Sequence, residues 1–171
     1  MPWLAGQVDK PIRACVALHP GNPKNITCLQ DLTKPGMRFV NRQEGSGTRK
    51  LLGLMLADAN ISITDINGYE SAEFTHSAIA AYIASGMADV GFGVQTAAAR
   101  FGLEFVPMLR ERYFFALPIA AVEEPLIQSV LEIMRRPAYQ AELNTLAGYE
   151  ARDTGTILSL DAAFGTPEAV G

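Results

Sequence analysis

The run Asn41-Arg42-Gln43-Glu44-Gly45-Ser46-Gly47-Thr48-Arg49 concentrates residue types that can hold a small anion. Ser46 and Thr48 bring hydroxyl donors, and Gly45 and Gly47 let the backbone turn tightly and approach a ligand without a Cβ in the way. Arg42 or Arg49 would add full charge and a planar donor fork. If the run opens a helix, its first amides have no intrahelical acceptor and lie at the positive end of the helix dipole, which makes an anion site. The same residues also fit a plainer reading, a helix capped by Ser46 with the glycines serving the turn. Arginine on both sides is more than a cap requires. Gly47-Thr48-Arg49 breaks the lysine-bearing nucleotide phosphate loop, so the expected ligand is a compact anion.

Thr75-His76-Ser77 forms a second candidate at another helix start. In a parallel sheet, helices that follow strands begin at the same carboxyl edge, so Thr75 and Ser77 could join Ser46 and Thr48 around one ligand. His76 would donate to that ligand or satisfy a neighbouring carbonyl. A hydrolase using Ser46, His76 and Asp89 is disfavoured: Gly45 and Gly47 flank Ser46 directly, and Gly-x-Ser-x-Gly is absent. Asp89 reads instead as a strand-end cap. In Glu111-Arg112-Tyr113, Arg112 or Tyr113 could close over a cleft, against the plainer reading of an ion pair and a packed ring.

The elements that must position these residues alternate. Met37–Asn41 reads as a strand, followed by a helix carrying Leu51, Leu52, Met55 and Leu56. Ile61–Gly68 reads as a strand, Thr75 caps a helix ending at Gly86, and Asp89–Gly93 is a buried strand. Val94–Phe101 reads as a helix and Glu104–Leu109 as a strand. The pattern predicts an α/β layer with a largely parallel sheet. Outside it, Ile12–Leu18 and Arg112–Pro118 read as strands, Leu126 to Met134 as a helix, and Pro137 starts another ending at Gly148. The expected organisation is two lobes: residues 1–36 with 111–171 as the first, and 37–110 as the second. Hinges would lie near 36 and 110, with a cleft between the lobes.

The chain has 171 residues, 49% hydrophobic and 19% charged, which suffices for a real core and excludes bulk disorder. Fourteen Lys plus Arg against 18 Asp plus Glu give a net charge of -4. That lacks the positive surplus nucleic-acid binding requires. Cys15 and Cys28 have no Cys-x-x-Cys spacing, and with two histidines no metal site or disulfide framework is expected. Cys15 reads as a small buried side chain. The start lacks a signal-peptide pattern, and the apolar tract Ser77–Ala88 is too short to cross a membrane. A cytoplasmic location is expected, or a periplasmic one if the start is truncated.

The stretch from Asn41 to Leu52 resembles the core motif of the periplasmic-binding-protein-like domain related to molybdate- and tungstate-binding proteins. Thr75–Ala81 running on through Ser85–Gly93 continues the resemblance, as do Phe105–Met108, Glu111–Tyr113 and His19–Pro23. It implies a two-lobed type II α/β fold in which serine and threonine hydroxyls and backbone amides hold an oxyanion. The Arg-x-x-x-Ser-Gly-Thr element of tungstate-binding relatives maps onto Arg42, Ser46, Gly47 and Thr48. The implied ligand set is Arg42, Gly45, Ser46, Gly47, Thr48, Thr75, His76 and Tyr113, with no catalytic residue, cofactor or metal. The portion that usually opens the first lobe is not matched, so that lobe is expected to be N-terminally shortened, with an exposed sheet edge and apolar surface. A homodimer or a partner domain would cover it. The implied role is non-catalytic molybdate- or tungstate-type binding by lobe closure, in sensing, regulation or transport. A partner-binding regulatory module with a vestigial pocket is the alternative, and a serine hydrolase or molybdenum-cofactor accessory is a lesser one.

Overall fold

A computed structural model describes residues 3–164. The chain divides into two compact units, Arg13–Arg110, and Met1–Ile12 together with Glu111–Gly171. We refer to them as the central and the flanking unit. The first crossing therefore falls at 12/13 rather than near 36. Residues 13–36 join the central unit because the second half of β1 (Trp3–Leu18) pairs with β4 (Val90–Val94), Ala14 facing Val94 and Leu18 facing Val90. Ile26, Leu29 and Leu32 then bury themselves in the same core.

In the central unit β2 (Phe39–Arg42) runs parallel to both β3 (Ala72–Glu73) and β4, with Val40 opposite Gly91 and Asn41 opposite Ala72. The strand order is β3-β2-β4-β1-β5, where β5 spans Glu104–Pro118. The sheet is mixed, since β1 is antiparallel to β4. Three helices follow the parallel strands: α1 (Gly47–Asp58) after β2, α2 (His76–Ala84) after β3, and α3 (Gln95–Arg100) after β4. Leu52 and Leu56 of α1 and Ile79 and Ile83 of α2 are fully buried, as their helical spacing requires. A Cβ on Gly91 would come within 2.7 Å of Ile79 Cγ2, so glycine there sets how closely α2 lies on β4.

The expected strand over Ile61–Gly68 is instead a single 3-10 turn, Ile63–Asp65. Ser62 caps it by accepting from the Thr64 amide, Ile63 is exposed and only Ile66 of the three isoleucines is buried. The loose alternation therefore did not mark a sheet face.

The flanking unit contains α4 (Pro125–Arg135), α5 (Pro137–Thr145), β6 (Thr156–Ser159) and α6 (Leu160–Phe164). Leu4–Gln7 of β1 pairs antiparallel with β6. Glu104–Leu109 and Arg112–Pro118, read separately in the sequence, form the single strand β5. Among the described residues no helix is long and apolar enough to cross a membrane.

Candidate functional site

Parallel neighbours point the same way, so the turns leaving β2, β3 and β4 open on one edge of the central unit's sheet, and α1, α2 and α3 all begin there. Hydrogen bonds join the first two turns: the Gln43 amide donates to the Glu73 carbonyl at 3.0 Å, and Arg42 Nη2 to the Phe74 carbonyl at 3.0 Å.

Ser46 is the N-cap of α1, its Oγ accepting from the Arg49 amide at 3.1 Å. This leaves the hydroxyl proton to donate elsewhere, and the Gly47 and Thr48 amides without an intrahelical acceptor. Ser46 has ordinary extended backbone angles (φ -73, ψ 140), so the turn carries none of the strain of a nucleophile elbow. Gly45 adopts φ +82, the left-handed region that favours glycine. At Gly47 φ is ordinary and nothing lies within 4 Å of where a Cβ would sit, so no neighbouring atom demands a glycine there. Thr48 is buried beside it.

Thr75 caps α2 in the same way, accepting from the Ala78 amide at 2.9 Å. His76 occupies the first helical position, and Ser77 beside it is half-buried. The His76 Nδ1 atom is buried with no partner and stands 3.3 Å from where a Cβ on Gly93 would be. Burial, with the Arg42 guanidinium adding to it, holds the imidazole down to about 4, so the ring is neutral at pH 7. Two residues beyond Gly93, Gln95 opens α3 with its Oε1 also buried and unpartnered. Sequence reasoning missed Gln95. The available signal was its place directly after the wholly buried strand Val90–Val94.

The arginines are committed differently from the expectation. Arg49 Nη2 donates to Glu70 Oε2 at 2.6 Å, and its guanidinium lies 5.0 Å from the centre of the Tyr69 ring. Arg49 therefore braces α1 against the turn before β3. Arg42 Nε donates to Gln43 Oε1 at 3.2 Å while Nη2 holds Phe74, so its side chain ties the two helix starts together. Asn41, wholly buried, donates from Nδ2 to the Tyr69 carbonyl and accepts from the Arg42 amide, fixing where β2 ends.

Asp89 sits at the other end of β4, before Val90, far along the strand from Gln95. Its carboxylate accepts from Arg38 Nη2 at 2.7 Å, Arg38 Nε at 3.1 Å and the Arg38 amide at 3.0 Å, with Lys24 Nζ at 3.5 Å. The Arg38 guanidinium holds it down to about 2. This placement removes Asp89 as an orienter for His76, and with it the Ser46-His76-Asp89 arrangement. It is the strand-end role that the sequence suggested. Tyr113 belongs to the flanking unit, where it is exposed and its hydroxyl donates to Glu111 Oε2 at 3.5 Å. Burial pushes the Glu111 carboxyl up, against the opposing pull of that bond. Cys28 is a free, exposed thiol, and the Cys15 side chain lies outside the described residues. Among the described residues no cluster of His, Cys, Asp and Glu could hold a metal ion.

The family model described as the PBP superfamily domain matches residues 14–135. The chain belongs to that family. A relative in Bacillus subtilis (strain 168), the uncharacterized protein YvgK, is 36% identical over 146 residues, which cover 85% of this chain and 47% of that protein. The chain thus spans about half the relative's length. Among solved structures, PEB3 bound to L-phospholactate superposes with a TM-score of 0.58 at 15% identity, covering 88% of this chain and 67% of that one. EhuB in complex with hydroxyectoine gives 0.57 at 13% identity, covering 86% and 59%. The substrate-binding domain described as that of a molybdenum ABC transporter from Clostridium difficile gives 0.55 at 16% identity, covering 85% and 66%. At these identities the likeness is one of fold, that of the periplasmic-binding-protein type. Fold and family agree on a periplasmic-binding-protein-like domain.

Proposed function

We propose that this PBP domain is a non-catalytic module that binds a small oxyanion at the carboxyl edge of its central sheet, molybdate or tungstate being the leading ligands. The observation that supports it most is the convergence of three helix starts on one edge, with two buried polar atoms there, His76 Nδ1 and Gln95 Oε1, lacking any partner. Buried polar groups are ordinarily satisfied, and His76 Nδ1, in the tautomer that carries its proton there, would donate to a ligand oxygen. Gln95 Oε1 is an acceptor and would meet an anion only with its amide turned to present Nε2. The amides of Gly47, Thr48, His76 and Ser77 would meet the oxygens, with the Ser46 and Thr48 hydroxyls as further donors. The open space over Gly47 would give the ligand room to reach the backbone. Arg42 would contribute through its field, which already acts on His76.

One structural neighbour holds L-phospholactate, whose phosphate group carries anionic oxygens, and another is described as a molybdenum transporter's binding domain. The hydroxyectoine complex shows that the same fold also serves an organic ligand, so ligand choice must come from the donors at the edge. A role in sensing, regulation or transport follows if the ligand favours a closed arrangement, as the resemblance implies.

Micromolar binding needs about 8 kcal/mol, and hydrogen bonds to a charged group supply roughly 1.5–3 kcal/mol each before desolvation and immobilisation are offset. A handful of donors is enough. Isothermal titration calorimetry of the chain with molybdate, with tungstate, sulfate and phosphate as competitors, tests the proposal. The expected result is saturable binding that tungstate displaces. Ser46→Ala should weaken it by about 1–3 kcal/mol. No heat from any of the four anions would overturn the reading.

A further inference from the structure

Helix α4 of the flanking unit is amphipathic, with Leu131 and Met134 buried on one side. Beside that buried strip Leu126, Val130 and Ile133 are 73%, 39% and 46% exposed. Spacings of four and three put these side chains on one stripe, the seam along which two helices pack. Glu123 and Glu124 stand immediately before the helix and Arg136 immediately after it, all exposed. None of these three makes an ion pair or side-chain hydrogen bond among the described residues.

Along the chain the order is acid, Leu, Val, Ile, base. Leu126 and Ile133, and beyond the helix ends Glu123 and Arg136, stand at equal distances from the midpoint between Ser129 and Val130, which sets Val130 against Ser129 of a twofold copy. If a second copy of α4 is laid antiparallel across the first with its twofold axis at that midpoint, Leu126 meets Ile133 and Glu123 meets Arg136. Each contact occurs twice, as an isologous twofold interface requires. The antiparallel arrangement also sets opposite helix dipoles side by side. A stripe flanked by one sign at each end repels a parallel copy and attracts an antiparallel one, so the charges select the orientation.

We infer that the exposed face of α4 is a self-association surface, and that its partner is a second copy of this chain docked antiparallel through Leu126, Val130 and Ile133, with Glu123 against Arg136. The stripe is far smaller than the roughly 20–30 residues a side of a stable interface, so the dimer is weak unless neighbouring apolar surface joins it. This inference stands apart from the anion site, which lies in the other unit.

Sedimentation velocity of the whole chain across a concentration series tests it. Reversible dimerisation is expected, weakening at least tenfold in Val130→Asp, a partly exposed position where folding can be checked by circular dichroism. Glu123→Lys/Glu124→Lys should weaken the dimer, and so should Arg136→Glu, because each gives both ends of the interface one sign. Combining all three substitutions should restore it. A chain that stays monomeric at every concentration would overturn the inference. A dimer indifferent to Val130→Asp would do so too, by placing the interface elsewhere. Failure of the combined charge reversal to rescue would overturn the antiparallel arrangement.

Discussion

The two units treat their apolar residues in opposite ways. In the central unit Phe39, Phe92, Leu18, Leu32, Leu52 and Ile83 are sealed from water around one sheet, and the exposed large hydrophobics are few and scattered. The flanking unit buries Leu131, Met134 and Leu143 but exposes Tyr113, Phe115, Ile119, Leu126, Ile133 and Phe164. A sheet with helices laid on it offers each apolar side chain a neighbour. Short helices packed on one side only leave their second face in water. Surface of this kind belongs to interfaces more often than to isolated domains. The comparison matches the two proposals: the closely packed central unit would carry the ligand edge, and the flanking unit would offer the surface for a second copy.

The largest expected effect tests the rigidity of the platform. Phe92→Ala should destabilise the chain by about 3–5 kcal/mol, whereas Leu146→Ala in the flanking unit should cost less than about 1 kcal/mol. Chemical denaturation compares them, and equal losses would erase the distinction between the units.

Acid sharpens the comparison, because its first target is in the central unit. The folded-state pKa of His76, about 4, lies below its usual value of 6.5. Between those values the unfolded chain binds the extra proton. The contribution is therefore complete above pH 6.5 and lost as pH falls towards 4. Allowing for solvent that still reaches the ring, it amounts to about 1–2 kcal/mol. His76→Asn should flatten that window. Asp89, held down to about 2 by Arg38, contributes fully above its usual 3.8 and loses that contribution as pH falls from 3.8 towards 2. Stability measured against pH should therefore fall in a His76 step and a lower carboxylate step. Asp89→Asn should shrink the lower one, which Asp31, also held below its usual value by the Thr27 amide and Lys34, shares.

A smaller effect separates two glycines of one turn. Gly45→Ala should cost about 1 kcal/mol because φ there is positive, while Gly47→Ala should stay within about 0.5 kcal/mol. Thermal denaturation decides this. Smallest of all, Leu126→Gln should leave stability within about 0.5 kcal/mol, and a loss above that would mean the stripe is packed within the chain.

Much of the platform was legible in the sequence. Ser46 and Thr75 each precede a helix whose apolar spacing is regular, and both act as the caps their types suggested. The strand Val90–Val94 announced itself as an unbroken buried run. What failed was non-local. The membership of residues 13–36 depends on the pairing of Cys15 with Gly93, which no local pattern reveals. Alternation at Ile61, Ile63 and Ile66 suggested a strand, but Ser62 offered the backbone a turn instead. Arg49 looked like a charge for the ligand, yet Glu70 and Tyr69, distant in sequence, hold it. Gln95 carries no motif, and only the missing hydrogen-bond partner of its buried oxygen draws notice.

The central claim is that an oxyanion occupies the edge where α1, α2 and α3 begin. Titrating the isotopically labelled chain with molybdate while recording amide resonances tests it most directly. The account predicts that the amides of Gly47, Thr48, His76, Ser77 and Gln95 shift together and saturate, and that Gly47→Val abolishes the shifts while leaving the fold intact. Saturable shifts confined to other residues, or none at millimolar molybdate, would contradict it.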